Sequence, residues 1–297
     1  MTPAAARRGL PTLALLGVTA AWGSTFFLIK DLLAELSVLD FLSLRFALAA
    51  VVLVALSPRA VAAMSRDELR QGVLLGLVYG VAQVLQTTGL ERTPASVSGF
   101  VTGMYVVATP LLAAWLLKDK VPGGVWFAVL VATAGLGFLS LQGFAVSPGV
   151  ALIFVSALLY ALHIIGLGRW SATSNVFGLS IVQMAVICLI CTVTSAPNGI
   201  GAPDTAAGWA SLSYMAVVCG SLALLGQTWA QAHLPATRAA VIMTMEPVWA
   251  AFFAVLLGGE HLSARMLVGG GLVLVAMYVV ELSPGRRVEV EVPHLTG

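Results

Sequence analysis

Glu246 lies in the run Val241-Ile242-Met243-Thr244-Met245-Glu246-Pro247-Val248-Trp249, with no lysine or arginine within a turn or two. A carboxylate in such surroundings must be paired, hydrated or protonated. It can therefore exchange a proton or hold a cationic group of a ligand; an ion pair with Arg45 or His163, or a permanently neutral acid, is the structural alternative. His163 reads equally as a proton relay, a ligand contact or a hydrogen-bonded core histidine. Arg45 lies about a turn inside a second apolar run and reads as a side chain snorkelling to the interface, as does Lys30. Cys188 and Cys191 have CxxC spacing but no second ligand pair, so packing is the better reading and no metal is expected. The constellations of enzyme chemistry are missing from the sequence: there is no HExxH pair, no GxSxG elbow and no GxxxxGK[ST] phosphate loop. His163 and Ser156 share a helix face but stand two turns apart, too far for a base and its nucleophile.

The other polar residues fall into stripes at the helical spacing i, i+3/4, i+7. Ser98, Thr102, Tyr105 and Thr109 form one. Tyr79, Gln83 and Gln86 form another, and Ser156, Tyr160 and His163 a third. Thr19 pairs with Trp22, Gln227 with Gln231, and Met243 with Glu246, Trp249 following a turn later. A repeat runs through these stripes. Shifting the second half back by 141 residues, the distance from Gln86 to Gln227, lays Gln86-Thr87 on Gln227-Thr228, Pro94-Ala95-Ser96 on Pro235-Ala236-Thr237 and Asp119 on Glu260. The same shift lays Trp22 on His163, Thr19 on Tyr160 and Tyr105 on Glu246. Periodicity and repeat thus select the same positions. They predict one central polar cavity lined by Trp22, Tyr79, Gln83, Gln86, Thr102, Tyr105, Tyr160, His163, Gln227 and Glu246, with Glu246 and His163 as proton-handling groups and no cofactor. Interhelical hydrogen-bond glue, at about 0.6 kcal/mol per contact in a membrane, is the alternative for each residue taken singly.

The elements that position these groups follow from composition. Of 297 residues, 59% are hydrophobic and 9% charged, against about 25% charged in soluble domains. Too few ionic side chains exist to coat a water-facing surface, so lipid is the solvent for most of it. A spanning helix needs about 20 apolar residues, and ten such runs can be drawn: 10–32, 39–57, 70–90, 94–117, 123–142, 148–168, 175–195, 208–231, 236–258 and 263–282. The first is too long for a signal peptide and is read as a retained span. With the N-terminus cytoplasmic, the inner segments hold Arg7, Arg8, Arg59, Arg66, Arg70, Lys118, Lys120, Arg169, Arg238, Arg286 and Arg287, and the outer ones only Lys30, Arg92 and Arg265. That asymmetry puts both termini in the cytoplasm. Five helices per repeat is odd, so the second copy enters from the opposite face. The expected fold is all-α: ten transmembrane helices in two inverted halves, 1–143 and 148–283, with a cytoplasmic tail at 284–297. Gly72, Gly76 and Gly80 read as a close-packing surface, and some of them as room for a ligand. Net charge is +2 with no basic tract, which excludes nucleic acid as a partner. Monomer and homodimer both remain open.

Ala21-Trp22-Gly23-Ser24-Thr25-Phe26-Phe27-Leu28-Ile29-Lys30, Leu44-Arg45-Phe46, and Met245-Glu246-Pro247-Val248-Trp249-Ala250-Ala251 continuing through Gly258-Gly259-Glu260-His261-Leu262-Ser263 resemble the motifs of EamA-type permeases of the drug/metabolite transporter superfamily. The resemblance covers residues 12–282. It implies a ten-helix secondary carrier in the cytoplasmic membrane that exports metabolites, amino acids or drugs, in many relatives against protons. The chain departs from the pattern in its first half: Pro110 to Asp119 is shorter than Pro247 to Glu260, and Glu246 has only Tyr105 as counterpart. A mechanism built on two symmetric carboxylates is therefore not expected.

The leading function is transport of a small molecule by alternating access, with an intramembrane enzyme and a passive channel or scramblase as the other classes. One acid, one histidine, amides, hydroxyls and aromatics suit a zwitterion, a cation or an amphipathic aromatic better than a polyphosphate, which needs several basic groups.

Overall fold

Without water, a backbone satisfies its N–H and C=O groups within one segment by coiling into a helix, and the described residues do so almost throughout. In the computed structural model the described residues are 3–117, 123–142, 145–171, 174–233 and 242–282. Lys118, Asp119, Lys120, Pro235, Ala236, Thr237, Arg238 and the tail expected at 284–297 lie outside them. The helices are α1 (Pro3–Leu32), α2 (Val38–Leu56), α3 (Arg66–Glu91), α4 (Ala95–Thr102), α5 (Tyr105–Leu117), α6 (Gly123–Ser140), α7 (Pro148–Trp170), α8 (Val176–Ser195), α9 (Ala206–Tyr214), α10 (Ala223–His233), α11 (Glu246–Leu256) and α12 (Ala264–Leu282). A π-helical stretch, Met215–Leu222, joins α9 to α10. A two-residue antiparallel ladder, β1 (Leu141–Gln142) with β2 (Ala145–Val146), separates the halves.

Among the described residues seven helical segments are long and apolar enough to cross a bilayer, and three more, Gly123–Leu139, Glu246–Leu256 and Ala264–Val280, are shorter apolar helices. Two expected spans are not single regular helices. The run at 94–117 breaks at Gly103–Met104, where the Met104 and Val106 N–H groups reach back only three residues, to Val101 and Gly103. The run at 208–231 widens into the π stretch, a form concentrated at functional sites.

The exterior is apolar and the largely apolar interior also holds polar side chains. Trp115 (74% exposed), Leu130 and Leu189 face outward, while Thr19, Ser96, Ser98, Ser156 and Thr244 are fully buried. A surface of that kind is stable against acyl chains and not against water. Inside, α3 packs on α7 and α8, α2 on α8 and the π stretch, α6 on α12, and α1 on α10 and α11, with α4 against α7 and α11. Gly72, Gly76 and Gly80 face Val182, Val186 and Ile187 of α8. All three glycines therefore serve close helix approach, and none opens space for a ligand.

Polar caps tie the connections together. Ser65 and Glu68 form a reciprocal capping box at the start of α3, and the other Glu68 oxygen accepts the Asn175 N–H at the start of α8, 2.9 Å away. At the opposite end, Lys30 Nζ donates to the Thr93 carbonyl (3.0 Å), and the Ser195 hydroxyl of α8 donates to Asp40 at the start of α2. Gly259, at φ +66°, turns the chain after α11 in the left-handed region that glycine tolerates. The turn delivers Glu260 to the first turn of α4, where its carboxylate accepts the N–H groups of Ala95 (2.6 Å) and Ser96 (3.2 Å) and the Ser96 hydroxyl (2.7 Å). Pro94 itself offers no side-chain cap. Removing the carboxylate with Glu260→Ala orphans two helix-end donors. It is expected to cost about 1 kcal/mol, read as a drop of a few degrees in thermal unfolding of the detergent-solubilised protein; an unchanged midpoint would show the cap to be energetically idle.

Candidate functional site

Helices from both halves of the sequence converge on a cavity. Its wall is built by Trp22, Thr25, Phe26 and Ile29 of α1, Arg45 of α2, Tyr79, Gln83 and Gln86 of α3, Thr102 and Tyr105 of the broken α4–α5 segment, Tyr160, His163 and Ile164 of α7, Leu224 and Gln227 of α10, and Met243 and Glu246 around the start of α11. All ten residues selected from the sequence are among them. The cavity holds about 80 Å³. One water needs roughly 10–15 Å³ on this measure, so the space accommodates a handful of waters, and a larger solute fits only if side chains or helices move.

Glu246 is 7% exposed and accepts a hydrogen bond from the Tyr105 hydroxyl at 3.1 Å, across 141 residues of chain. Both residues open a helix directly after a break, Tyr105 following Gly103–Met104 and Glu246 following Thr244–Met245. The break frees the local ladder and aims both side chains at the same space. Pro247 follows Glu246 at the first turn, where its missing N–H removes nothing.

A second polar chain crosses three helices. The Tyr160 hydroxyl donates to Gln86 Oε1 (2.7 Å), and Gln86 Nε2 donates to Thr102 Oγ1 (3.0 Å). Gln86→Leu strands both hydroxyls. A double-mutant cycle of Gln86→Leu with Tyr160→Phe is expected to give a coupling of about 0.6 kcal/mol, the typical intramembrane value, measured by unfolding in detergent; additive losses would mean the bond contributes nothing.

His163 is buried. One ring nitrogen lies 2.6 Å from Gln183 Oε1 of α8, whose amide nitrogen donates to the Leu179 carbonyl at 3.0 Å. The ring stacks on Tyr79 (centroids 4.8 Å apart, 21° between planes), and Tyr79 in turn meets Tyr160 at 5.7 Å. Trp22 donates from Nε1 to the Cys219 carbonyl of the π stretch at 2.9 Å, which fixes its ring at the wall.

Several stripe residues are elsewhere. Thr19, Ser98, Thr109 and Ser156 donate to carbonyls of their own helices, Leu16, Pro94, Tyr105 and Ile153, and none lines the cavity. Trp249 packs against Phe252 and Phe253 instead of the cavity. The side chain of Gln231 lies outside the described residues. Arg45 is a correction in the other direction. It is 5% exposed and lies on the cavity wall, with its guanidinium carbon 5.8 Å from the Phe41 ring centroid and 5.4 Å from that of Phe46. It does not snorkel, because the two aromatic rings and the packed start of α2 hold it inward. Lys30 likewise is held by a carbonyl and is not free at the interface. Among the described residues no three His, Cys, Asp or Glu side chains cluster as a metal site would require.

An apolar exterior and helices long and apolar enough to cross a bilayer, packed around a cavity lined by both polar and apolar side chains, define a multi-pass membrane protein. The chain belongs to the EamA-like transporter family, whose pattern matches residues 10–141 and again 147–282. It is a membrane transporter, embedded in a lipid bilayer and acting on a small molecule. It is similar to an uncharacterized transporter of Archaeoglobus fulgidus, 28% identical over 270 residues that cover 89% of this chain and 83% of the relative. A crystal structure of a protein, 15% identical, superposes with a TM-score of 0.65 over 91% of this chain and 95% of its own; that likeness concerns the fold alone.

Proposed function

We propose that the protein is a ten-span secondary carrier that exports a small polar metabolite, amino acid or drug-like molecule by alternating access. In this reading the halves, 1–143 and 148–283, are inverted copies that rock about the central cavity. The observation that carries it is the bond between the Tyr105 hydroxyl and the Glu246 carboxylate. The two residues occupy equivalent positions of the repeat, and equivalent positions meet only close to a two-fold axis. The packing supports the same duplication: α1 on α10 mirrors α7 on α3, α2 on the π stretch mirrors α8 on α3, and α2–α8 and α6–α12 pair with themselves. Both helix breaks, at 103–104 and 244–245, fall at one repeat position. The seven spans and three shorter apolar helices support a count of ten.

The cavity residues are the substrate-binding set, and Glu246 is the group shared by substrate and proton, with His163 beside the Tyr79–Tyr160 pair as a second proton-handling group. A cytoplasmic membrane with both termini inside is favoured by the basic residues. Arg66 and Arg70 begin α3 at the end where Glu68 meets the start of α8, whereas Lys30 and Arg92 lie at the opposite end near Thr93. Export direction rests on the family resemblance.

The test is a counterflow screen in proteoliposomes over amino acids, polyamines, nucleosides and cationic drugs, with and without a pH gradient. A carrier exchanges labelled for unlabelled substrate with saturation, and the gradient drives accumulation. Conductance or leak without counterflow would replace the carrier by a channel or scramblase.

A further inference from the structure

We propose that Arg45 is the anion subsite of the cavity and that the transported molecule carries a carboxylate group which its guanidinium grips. This rests on the carrier reading above and deepens it.

A buried guanidinium is costly unless its five donors are met. Arg45 is 95% buried by its 5% exposure, yet its Nε is buried without a hydrogen-bond partner. Its recorded neighbours are the Phe41 and Phe46 rings. Those rings stabilise the cation from its flank and hold the plane of the fork, but neither offers an oxygen. Glu246, the acid lining the same cavity, has Tyr105 as its hydrogen-bond partner and forms no ion pair with Arg45 among the described residues. Tyr79 and Tyr160 line the same cavity as Arg45 and Glu246.

A site with one cation left open to the cavity is complementary to one negative charge. The guanidinium fork matches a planar carboxylate through two parallel N–H···O bonds. Among the described residues no lysine and no second arginine lines the cavity, which disfavours polyphosphates and dianions. Glu246, also a cavity residue, suits an ammonium group on the same molecule, and the probes below separate a zwitterion from a simple carboxylate.

The experiment measures ligand-induced thermal stabilisation of the full-length protein in detergent with four matched probes: L-phenylalanine (zwitterion), 3-phenylpropanoate (carboxylate only), L-phenylalaninamide and L-phenylalaninol (ammonium without carboxylate). The wild type is expected to respond to the first, the second or both, and at least about 10-fold more weakly to the last two. Response to phenylalanine alone assigns a zwitterion; response to 3-phenylpropanoate as well assigns a simple carboxylate. Arg45→Met is expected to erase the difference between carboxylate and amide probes. Its unliganded midpoint should hold or rise, since replacing a buried charge that lacks a partner by an apolar chain relieves desolvation. Arg45→Lys keeps the charge without the fork and should retain a reduced preference. The proposal is overturned if the wild type responds to no carboxylate probe, if Arg45→Met keeps the carboxylate preference, or if Arg45→Met unfolds while Arg45→Lys binds as wild type, which would make the charge structural. Because binding is read without transport, carboxylate recognition through Arg45 with no counterflow keeps this inference and removes the carrier reading. Counterflow of ammonium probes alone does the reverse.

Discussion

Glu246→Gln is expected to abolish accumulation driven by a pH gradient while leaving a folded protein that still exchanges substrate between symmetric compartments. Glutamine keeps the size of the side chain and an oxygen to accept the Tyr105 hydroxyl, whose bond to the carboxylate is 3.1 Å. It removes the ability to gain and lose a proton. The fold should tolerate the change, because a neutral amide is cheaper than an acid at a site 7% exposed. Each unit of pH gradient supplies about 1.4 kcal/mol, a tenfold accumulation when one proton exchanges for one substrate. The variant should therefore equilibrate substrate without concentrating it. Proteoliposomes loaded at one pH and diluted into another give the measurement directly. Gradient-driven accumulation by Glu246→Gln equal to that of the native protein would remove Glu246 from the coupling. The asymmetry with Tyr105 matters to the sign of this argument. A hydroxyl at the equivalent position orients the carboxylate and cannot replace it, so no second acid of the repeat rescues the loss.

The stripes and the repeat sorted the cavity well for a physical reason. A polar group at bilayer depth has few places to go, and one of them is a shared wet space. Tyr79, Gln83 and Gln86 on α3 and Tyr160 with His163 on α7 line it as their spacing predicts. Small hydroxyls misled, because a threonine or serine can satisfy itself on the preceding turn. Thr19, Ser98, Thr109 and Ser156 do so, and no periodicity distinguishes that choice from facing a cavity. Arg45 is legible in the sequence as a charge but not in its destination, since a position near a helix end allows both snorkelling and turning inward. The aromatic neighbours Phe41 and Phe46, one turn before it and one residue after, were the signal available. The π stretch leaves no mark in composition, as Met215–Leu222 is an ordinary apolar run. The break before Tyr105 had Gly103 as a cue, whereas its equivalent before Glu246 has Thr244 and Met245 and only the repeat to suggest it. Apolar wall residues such as Phe26 and Ile29 look like core from sequence because chemically they are.

Gly23→Ala is expected to destabilise the protein more than any change at an outward position, although it adds one methyl group. A Cβ at residue 23 would lie 2.5 Å from Trp249 Cβ and 2.8 Å from the Ala250 backbone nitrogen. No rotamer change relieves a collision with backbone, so α1 must move away from α11. That contact holds Glu246 in place, since the α11 residues facing Gly23 begin one turn beyond the carboxylate. Overpacking of this kind costs about 1–3 kcal/mol, or several degrees of thermal midpoint. The displacement also opens the wall between Trp22 and Glu246, so substrate exchange should fall with stability. Gly17→Ala supplies the control on the same helix, where an added Cβ meets nothing within 4 Å. There the gain in helix propensity, about 1 kcal/mol at most, should leave the midpoint level or raise it. The pair separates two accounts of glycine in α1. If both substitutions lower the midpoint alike, backbone flexibility is what the helix needs. If only Gly23→Ala does, the requirement is steric, and the approach of α1 to α11 is what positions the acid in the cavity.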